Sequence, residues 1–247
     1  MPNTPVASAV TLSDVVLTRR VHRSQQIEVL DSVTLSAAEG STVAIVGPSG
    51  CGKSTLLEVA CGMLKPTSGT VTAQPAAMMA QRDLLLPWAT ALDNAALALR
   101  AAGLSRGDAR DQAADWFPRL GIAGFENVRP AQLSGGMRQR VAFARTLLAG
   151  RPVIALDEPF AALDALSRIE ARAWLSDALA AGGRTALLVT HDVEEAVLLA
   201  DRIIVLSPRP AKVVESLSVE IAKPRRRSDP QVVAMRQSIL ELLGAGQ

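Results

Sequence analysis

The first third of the chain has the apolar and polar pattern of β-strands. The stretches "ASAVTLSDVVLT", "IEVLDSVTLS" and "STVAIVG" are rich in β-branched residues and are separated by polar turns. The third stretch is continuously apolar, which is typical of a strand that is buried on both faces of a sheet. The pattern therefore predicts a strand-rich start, with one strand inside a larger sheet.

The pattern changes twice further along the chain. Two short strands are predicted in "TVTAQ" and "AAMMAQ", and an alanine- and leucine-rich helical pattern follows them. Strands and helices then alternate again, as in a parallel α/β sheet, and the tail predicts a closing helix. We therefore expect a single domain of residues 1–247, with a helical subdomain inserted at 84–151 between core segments 1–83 and 152–247.

Composition narrows the class of protein. The chain is 49% hydrophobic, enough for a sizeable core, and its formal net charge of +2 lacks the basic field of a dedicated nucleic-acid-binding protein. The run Arg225–Arg227 is interpreted as a solvated turn rather than an anion contact. Two cysteines, Cys51 and Cys61, indicate reduced thiols in the cytosol, and no stretch has the pattern of a signal peptide or a membrane span.

A glycine-rich stretch predicts a phosphate-binding loop. The sequence "GPSGCGKS" follows the buried strand and opens a helix, which is the context that the P-loop pattern requires. Lys53 can reach the β- and γ-phosphates, and Ser54 can hold Mg²⁺. The loop that would wrap the phosphates consists of Gly47, Pro48, Ser49, Gly50, Cys51 and Gly52, and each of these residues except Pro48 offers a backbone N–H group.

Two adjacent acids end another apolar strand, in "PVIALDEP". Adjacent residues on a strand point to opposite faces, so Asp157 and Glu158 are expected to do different work. We expect Asp157, at the strand tip, to bind Mg²⁺ through water. Glu158, just past it, could accept a proton from an attacking water.

Two further polar residues are expected at the same edge of the sheet. His191 ends the apolar stretch "LLVTH", and Gln81 ends "AAMMAQ". Ligands of open α/β sheets bind outside the carboxyl ends of the strands, where the phosphate loop and the two acids also lie. Alone, His191 would be interpreted as a packed or surface residue, and Gln81 as a solvated glutamine at the end of a strand.

The stretch "LSGGMRQR" predicts a second phosphate-ready helix start. Ser134 is placed as the N-cap residue, and Gly135 and Gly136 leave the first turn without side-chain bulk. The glycine pair favours close approach of the backbone to something outside the helix. Its distance from the P-loop raises the question of which nucleotide it would serve.

The motifs "GPSGCGKST", Gln81, "LSGGMRQR", "VIALDEP", "AALD" and His191, in this order, resemble the ATPase subunit of ATP-binding cassette (ABC) transporters. The resemblance implies an α/β fold: a RecA-like P-loop NTPase core with an N-terminal antiparallel β subdomain and an inserted α-helical subdomain. It also implies an ATP hydrolase that uses ATP and Mg²⁺.

The resemblance implies a role for each motif residue. Lys53, Ser54 and Thr55 would bind phosphates and Mg²⁺, and Gln81 would contact Mg²⁺ and water and report to a membrane subunit. Asp157 would be the Mg²⁺ acid, Glu158 the catalytic base, and His191 the sensor of the γ-phosphate. These last three lie on two separate sequence motifs.

The resemblance also implies partners. In this family two subunits face each other head to tail, so Ser134 and Gly136 of one copy would cap the nucleotide held by the other, and Asp164 would contribute to the dimer contact. An integral membrane permease and, indirectly, an extracytoplasmic solute-binding protein would complete an importer, at the cytoplasmic face of the inner membrane. No nucleic acid is expected.

A finer resemblance concerns the group of importers. The stretches "LLLPWATALDNAALAL" and "KPRRRSDP", together with Met137 after "LSGG", are similar to those of nitrate, sulfonate and taurine importers. The segment from Leu85 to Ala102 is the expected docking groove for the permease. The solute within this group stays open.

Two departures from the family pattern change the expectations. The family stacks an early aromatic residue on adenine, but nothing aromatic precedes Trp88 except His22. Stacking by His22 or by Arg20 is therefore expected, with weaker base selectivity and GTP as a tolerated substrate. In addition, "AALD" lacks a serine that the family often has, so any role of that hydroxyl is absent.

One side-chain hypothesis and two alternative functions remain. Cys51 lies near a helix N-terminus and Lys53, both of which favour a thiolate, so its alkylation is expected to block hydrolysis. A soluble ABC ATPase acting on nucleic acid or ribosomes would keep the chemistry, although its usual second cassette or coiled-coil insert is not visible. A P-loop small-molecule kinase would not explain "LSGG".

Overall fold

The computed structural model of the chain describes the backbone of residues 7–22 and 25–244, together with their side chains except those of residues 21, 22, 25 and 180–182. The strands, in chain order, are β1 (Ser8–His22), β2 (Gln25–Ala38), β3 (Thr42–Val46), β4 (Ser68–Ala73), β5 (Ala76–Met79), β6 (Val153–Asp157), β7 (Thr185–Val189), β8 (Arg202–Leu206) and β9 (Val213–Ser218). The helices are α1 (Lys53–Ala60), α2 (Ala91–Ala95), α3 (Leu97–Ala101), α4 (Arg106–Ala114), α5 (Trp116–Arg119), α6 (Gly135–Leu148), α7 (Ala165–Gly182), α8 (Val193–Leu199) and α9 (Pro230–Leu242).

The strands form two sheets. A three-stranded antiparallel sheet has the order β2-β1-β4, and a six-stranded sheet has the order β5-β6-β7-β3-β8-β9. All neighbours in the larger sheet are parallel except β8 and β9. The carboxyl ends of β3, β5, β6 and β7 therefore meet at one edge, and the predicted α/β P-loop fold is confirmed.

The central strands are buried on both faces, as their continuous apolar sequences predict. Every residue of β3, β6 and β7 is buried. Along β6, Val153 and Ala155 pack with the small sheet and α1, whereas Ile154 and Leu156 pack with the helices on the opposite face. Alternate residues of β6 thus contribute to two different cores, one on each face of the large sheet.

The helices α2–α6 lie in the chain between β5 and β6, which are adjacent parallel strands. They bury Phe117 and Phe143 against the large sheet, and α7 packs into the same cluster. A third cluster joins α8 and α9 to β3 and β8. The division of the chain into subdomains at 84 and 151 stays a prediction, consistent with this insertion.

Three local predictions need correction. The apolar pattern of "TALDNAALALRAAG" predicts one helix, but the structure has two short helices that meet at Ala96. The pattern after the phosphate loop predicts a helix that continues to Met63, but α1 ends at Ala60, because Gly62 turns the chain at a φ of 70°. Strand β9 was not predicted, since its residues are mostly exposed and do not alternate regularly. Among the described helices, none combines the length and the apolar character needed to cross a membrane.

Candidate functional site

The phosphate loop connects β3 to α1 and is shaped by its glycines. Gly50 and Gly52 have φ values of 72° and 127°, a region that other residues rarely adopt. A Cβ on Gly52 would lie 3.0 Å from the Val29 side chain of β2, so the loop also needs glycine for space. Gly52 caps α1 without a side-chain hydrogen bond, which leaves the first N–H groups of the helix available to an anion.

Lys53 lies across this loop. Its side chain is 6% exposed, and Nζ donates to the carbonyl oxygens of Gly47, at 2.8 Å, and Pro48, at 3.0 Å. These carbonyls hold the ammonium group at the centre of the loop. A phosphate bound by the loop's N–H groups would therefore meet a positive charge already in place.

Asp157 is a buried carboxylate with an unpaired oxygen. It ends β6, is 4% exposed, and its Oδ1 has no hydrogen-bond partner within the described residues. Burial raises the pKa of Asp157, and the Glu158 charge adds to this, while the hydroxyl of Ser54 and the charge of Lys53 act in the opposite direction. A buried orphan carboxylate oxygen beside a serine hydroxyl is a donor set that suits Mg²⁺.

Glu158 has a different environment from its neighbour. Its backbone has a φ of 47°, and its N–H donates to the carbonyl of Val189 on β7 at 2.8 Å. Its Oε2 accepts a hydrogen bond from Nε2 of Gln81 at 3.2 Å and lies 3.2 Å from Nδ1 of His191. The structure thus brings together three residues that the sequence separates by up to about a hundred positions.

A polar cavity of about 510 Å³ is lined by half of the predicted site residues. It is lined by Ser49, Gly50, Gly52, Lys53, Ser54, Thr55, Gln81, Glu158, His191 and Arg209. Arg209 was missed by sequence reasoning, and its guanidinium group donates to the carbonyl of Gly50. The available signal was its position just after β8, whose carboxyl end lies at the same sheet edge.

The "LSGG" turn lies apart from this cavity. Ser134 caps α6, as predicted, and its hydroxyl accepts the N–H of Met137 at 3.2 Å. A Cβ on Gly136 would lie 2.8 Å from the end of the Leu163 side chain, so a larger residue there would have to displace this side chain of the "AALD" turn. Neither Ser134, Gly135 nor Gly136 lines the cavity in this chain.

The remaining predicted residues have structural settings of their own. Asp164 caps α7, accepting from the N–H groups of Leu166 at 3.1 Å and Ser167 at 3.0 Å, and the Ser167 hydroxyl lowers the pKa of this exposed carboxyl. His22 ends β1, and its side chain lies outside the described residues, whereas Arg20 is exposed on the same strand.

The alkylation hypothesis for Cys51 is not supported by its surroundings. The thiol is 2% exposed and packs in the core cluster beneath the phosphate loop. The sequence placed Cys51 in the loop but could not reveal that its side chain turns away from the nucleotide side. In this conformation the side chain of Cys51 is buried in the core, and it is the backbone of Cys51 that belongs to the phosphate loop.

The parallel sheet, the phosphate loop and the acids at its edge define the class: the protein is a P-loop nucleoside triphosphatase. A sequence model of the family described as ABC transporter matches residues 30–161, more than half of the chain. The chain belongs to the ABC transporter family.

Curated relatives and a solved structure agree with this family. An aliphatic sulfonates import ATP-binding protein of Rhodococcus jostii is 41% identical over 227 residues, covering 89% of each chain. A taurine import ATP-binding protein of Yersinia pestis is 41% identical over 228 residues, covering 85% of this chain and 89% of the relative. The ATP-binding cassette MJ0796, solved as a dimer in a post-hydrolysis state with ADP and Pi, has a TM-score of 0.79 and 31% identity, covering 86% of this chain and 100% of that chain.

Proposed function

We propose that the chain is the ATP-hydrolysing subunit of an importer for a small sulfonate such as taurine. The main observation that supports this function is that Gln81, Glu158 and His191 contact each other in the cavity beside the phosphate loop. The relatives that share 41% identity are named for sulfonate and taurine import, and they supply the solute class.

ATP is held by the phosphate loop, with Lys53 and Thr55 on the phosphates. Ser54, Asp157 and Gln81 are the residues that would hold Mg²⁺, an assignment supported by the orphan Oδ1 of Asp157. The ion supplies charge neutralisation at the transferring phosphoryl group. The loop's N–H groups and Lys53 position the phosphates, so most of the catalysis is orientation and electrostatic stabilisation.

Glu158 is the proposed general base. Glu158 lines the cavity, whereas Asp157 is buried next to it. The Glu158 carboxylate can therefore accept a proton from the attacking water. Gln81 and His191 hold one oxygen of its carboxylate, which leaves the other to face the water. His191 is also placed where it can contact the γ-phosphate.

Hydrolysis in this proposal requires two copies of the chain. Because Ser134, Gly135 and Gly136 do not line their own chain's cavity, they are free to complete the cavity of a partner copy. A dimeric state of the similar cassette, described with ADP and Pi, supports this arrangement. Asp164, on the turn that packs against Gly136, would lie at the same interface.

The proposed membrane partner is an integral membrane permease, which this chain would contact at the cytoplasmic face of the membrane. The segment after Gln81 carries two large exposed apolar side chains, Leu84 and Trp88, the latter 72% exposed. Arg138 and Arg145 of α6 bind Asp83 and the carbonyl of Leu84, so this surface is tied to the "LSGG" helix. We propose residues 84–151 as the subdomain that carries both surfaces.

The test is the purified complex of the chain with its permease, assayed with a solute-binding protein and taurine. ATP hydrolysis should rise when binding protein and taurine are added together, and the Lys53→Ala complex should stay inactive. Stimulation by nucleic acid, or phosphoryl transfer only when a small-molecule acceptor is supplied, would overturn the proposal.

A further inference from the structure

The helix that follows His191 is short and depends on its neighbours. Helix α8 has seven residues, fewer than an isolated helix needs to be stable in water. Its first turn holds the residues on both sides of His191. The Thr190 hydroxyl donates to Glu195 at 2.7 Å, and Asp192 accepts the N–H of Glu194 at 2.9 Å. The position of His191 therefore depends on the position of α8.

Arg225 binds the carboxyl end of this helix. Its guanidinium group donates to the carbonyls of Val197, at 2.8 Å, and Ala200, at 2.6 Å, and also to those of Val219 and Ile221. A cation at this end complements the helix dipole and satisfies carbonyls that have no partner within the helix. The interpretation of Arg225 as part of a solvated turn is wrong.

Arg227 binds the other end of the same helix. Its Nε lies 2.6 Å from Oε1 of Glu194, a buried carboxylate in the first turn. Arg172 of α7 and Arg236 of α9 also contact Glu194, at 3.4 and 3.6 Å. All three contacts are ion pairs with the Glu194 carboxylate, and the one from Arg172 is also a hydrogen bond. The first turn of α8 is thus tied to three other segments of the chain.

We propose that Arg225 and Arg227 form a two-ended clamp on α8 that fixes His191 relative to Glu158. The two arginines are two positions apart, and they reach opposite ends of a helix about 10 Å long. They are positioning residues, since neither lines the nucleotide cavity. The inference rests on the proposed roles of Glu158 and His191, because small displacements of a reacting group cost much of its effect.

The first test compares Arg227→Ala with Arg226→Ala. The side chain of Arg226 is exposed and has no hydrogen-bond or ion-pair partner within the described part of the chain, so Arg226→Ala is a matched control. In the Arg227 variant, Arg172 and Arg236 still neutralise Glu194, and the fold should be kept. We expect kcat for ATP to fall about three- to tenfold with KM and Tm nearly unchanged, whereas the control keeps wild-type values. An unchanged kcat, or an equal fall in both variants, would overturn the clamp.

The second test asks whether Arg227 acts through His191. Arg227→Ala is made in a His191→Ala background, and hydrolysis is followed in single turnovers over long times. We expect no further fall there, and partial recovery by Arg227→Lys when His191 is present. The same fall in both backgrounds would mean that Arg227 only supports the fold. Glu158→Gln is assayed in parallel: wild-type turnover in that variant refutes the proposed function itself, whatever the arginine variants do.

Discussion

The two adjacent acids at the end of β6 differ in their surroundings more than in their chemistry. Asp157 is buried, with one oxygen that lacks a partner, while Glu158 reaches the cavity beside Gln81 and His191. The sequence predicted different roles from alternation along a strand, but β6 ends at Asp157, and Glu158 follows it with a φ of 47°. The sequence could not reveal the contact between Gln81 and Glu158, 77 positions apart, because it depends on β5 lying next to β6 in the sheet.

Removal of the proposed base should separate binding from chemistry. We expect Glu158→Gln to bind nucleotide normally and to lower turnover by roughly 10²–10⁴, about 3–5 kcal/mol of barrier, because the amide cannot accept the proton. Equilibrium nucleotide binding and steady-state hydrolysis measure the two effects. Turnover near the wild-type rate would exclude Glu158 as the base.

For Asp157 we expect that removal of the charge stabilises the nucleotide-free protein but abolishes hydrolysis. Its pKa is raised by burial, so the folded chain disfavours the charged form, and folding stability falls as pH rises from the unfolded-state pKa through the folded one. At neutral pH the charge is therefore a cost in the nucleotide-free protein. We expect Asp157→Asn to raise Tm in EDTA, by no more than about 4 °C, and to lose Mg²⁺-dependent hydrolysis.

The exposed Asp111 provides the control for this measurement. Asp111→Asn removes the same charge from the surface of α4, where water solvates the carboxylate, and should leave both Tm and hydrolysis unchanged. A fall in Tm for Asp157→Asn would mean that the carboxylate stabilises the nucleotide-free protein. This result would contradict the claim that burial of its charge is a cost to stability.

At the scale of elements, strong apolar patterns were predictable and marginal ones were not. The strands β3, β6 and β7 are uniformly buried and mostly apolar, and they were placed correctly because burial on both faces demands such a sequence. The edge strand β9 does not need an apolar sequence, because most of its residues are exposed. Arg209 was missed for a related reason: its loop reaches the phosphate loop through tertiary contacts that leave no periodic signal.

The small antiparallel sheet depends on one close approach of two backbones. Gly69 of β4 has a φ of 86°, and a Cβ there would lie 2.3 Å from the carbonyl oxygen of Asp14 on β1. We expect Gly69→Ala to lower the free energy of unfolding by more than about 2 kcal/mol, because backbone strain and a clash with main-chain atoms add. Urea unfolding measures the loss.

Gly62 supplies the matched variant for this prediction. It also has a positive φ, of 70°, but no atom lies within 4 Å of the position its Cβ would take. Gly62→Ala should therefore cost only the backbone strain, about 1–2 kcal/mol. Equal losses in the two variants would show that the contact between β1 and β4 is not tightly packed.

At the scale of the whole molecule, the "LSGG" turn is the motif that has no ligand-binding role within a single chain. Sequence analysis placed Ser134 correctly as the cap of α6, and the structure locates that cap outside the cavity formed by the same chain. Such a turn is ready to bind phosphate but has no nucleotide within its own chain. In the proposed function a symmetric pair of chains supplies one, because each copy would complete the site of the other.

Mixing two inactive variants tests this account most directly. Lys53→Ala removes the phosphate-binding lysine, and Ser134→Arg blocks the "LSGG" turn, so each variant alone should fail to hydrolyse ATP, although the second still binds it. A mixed dimer contains one intact site, and equal mixing should restore up to about a quarter of the wild-type rate. No recovery in a mixture shown to contain mixed dimers would contradict a site shared between two chains.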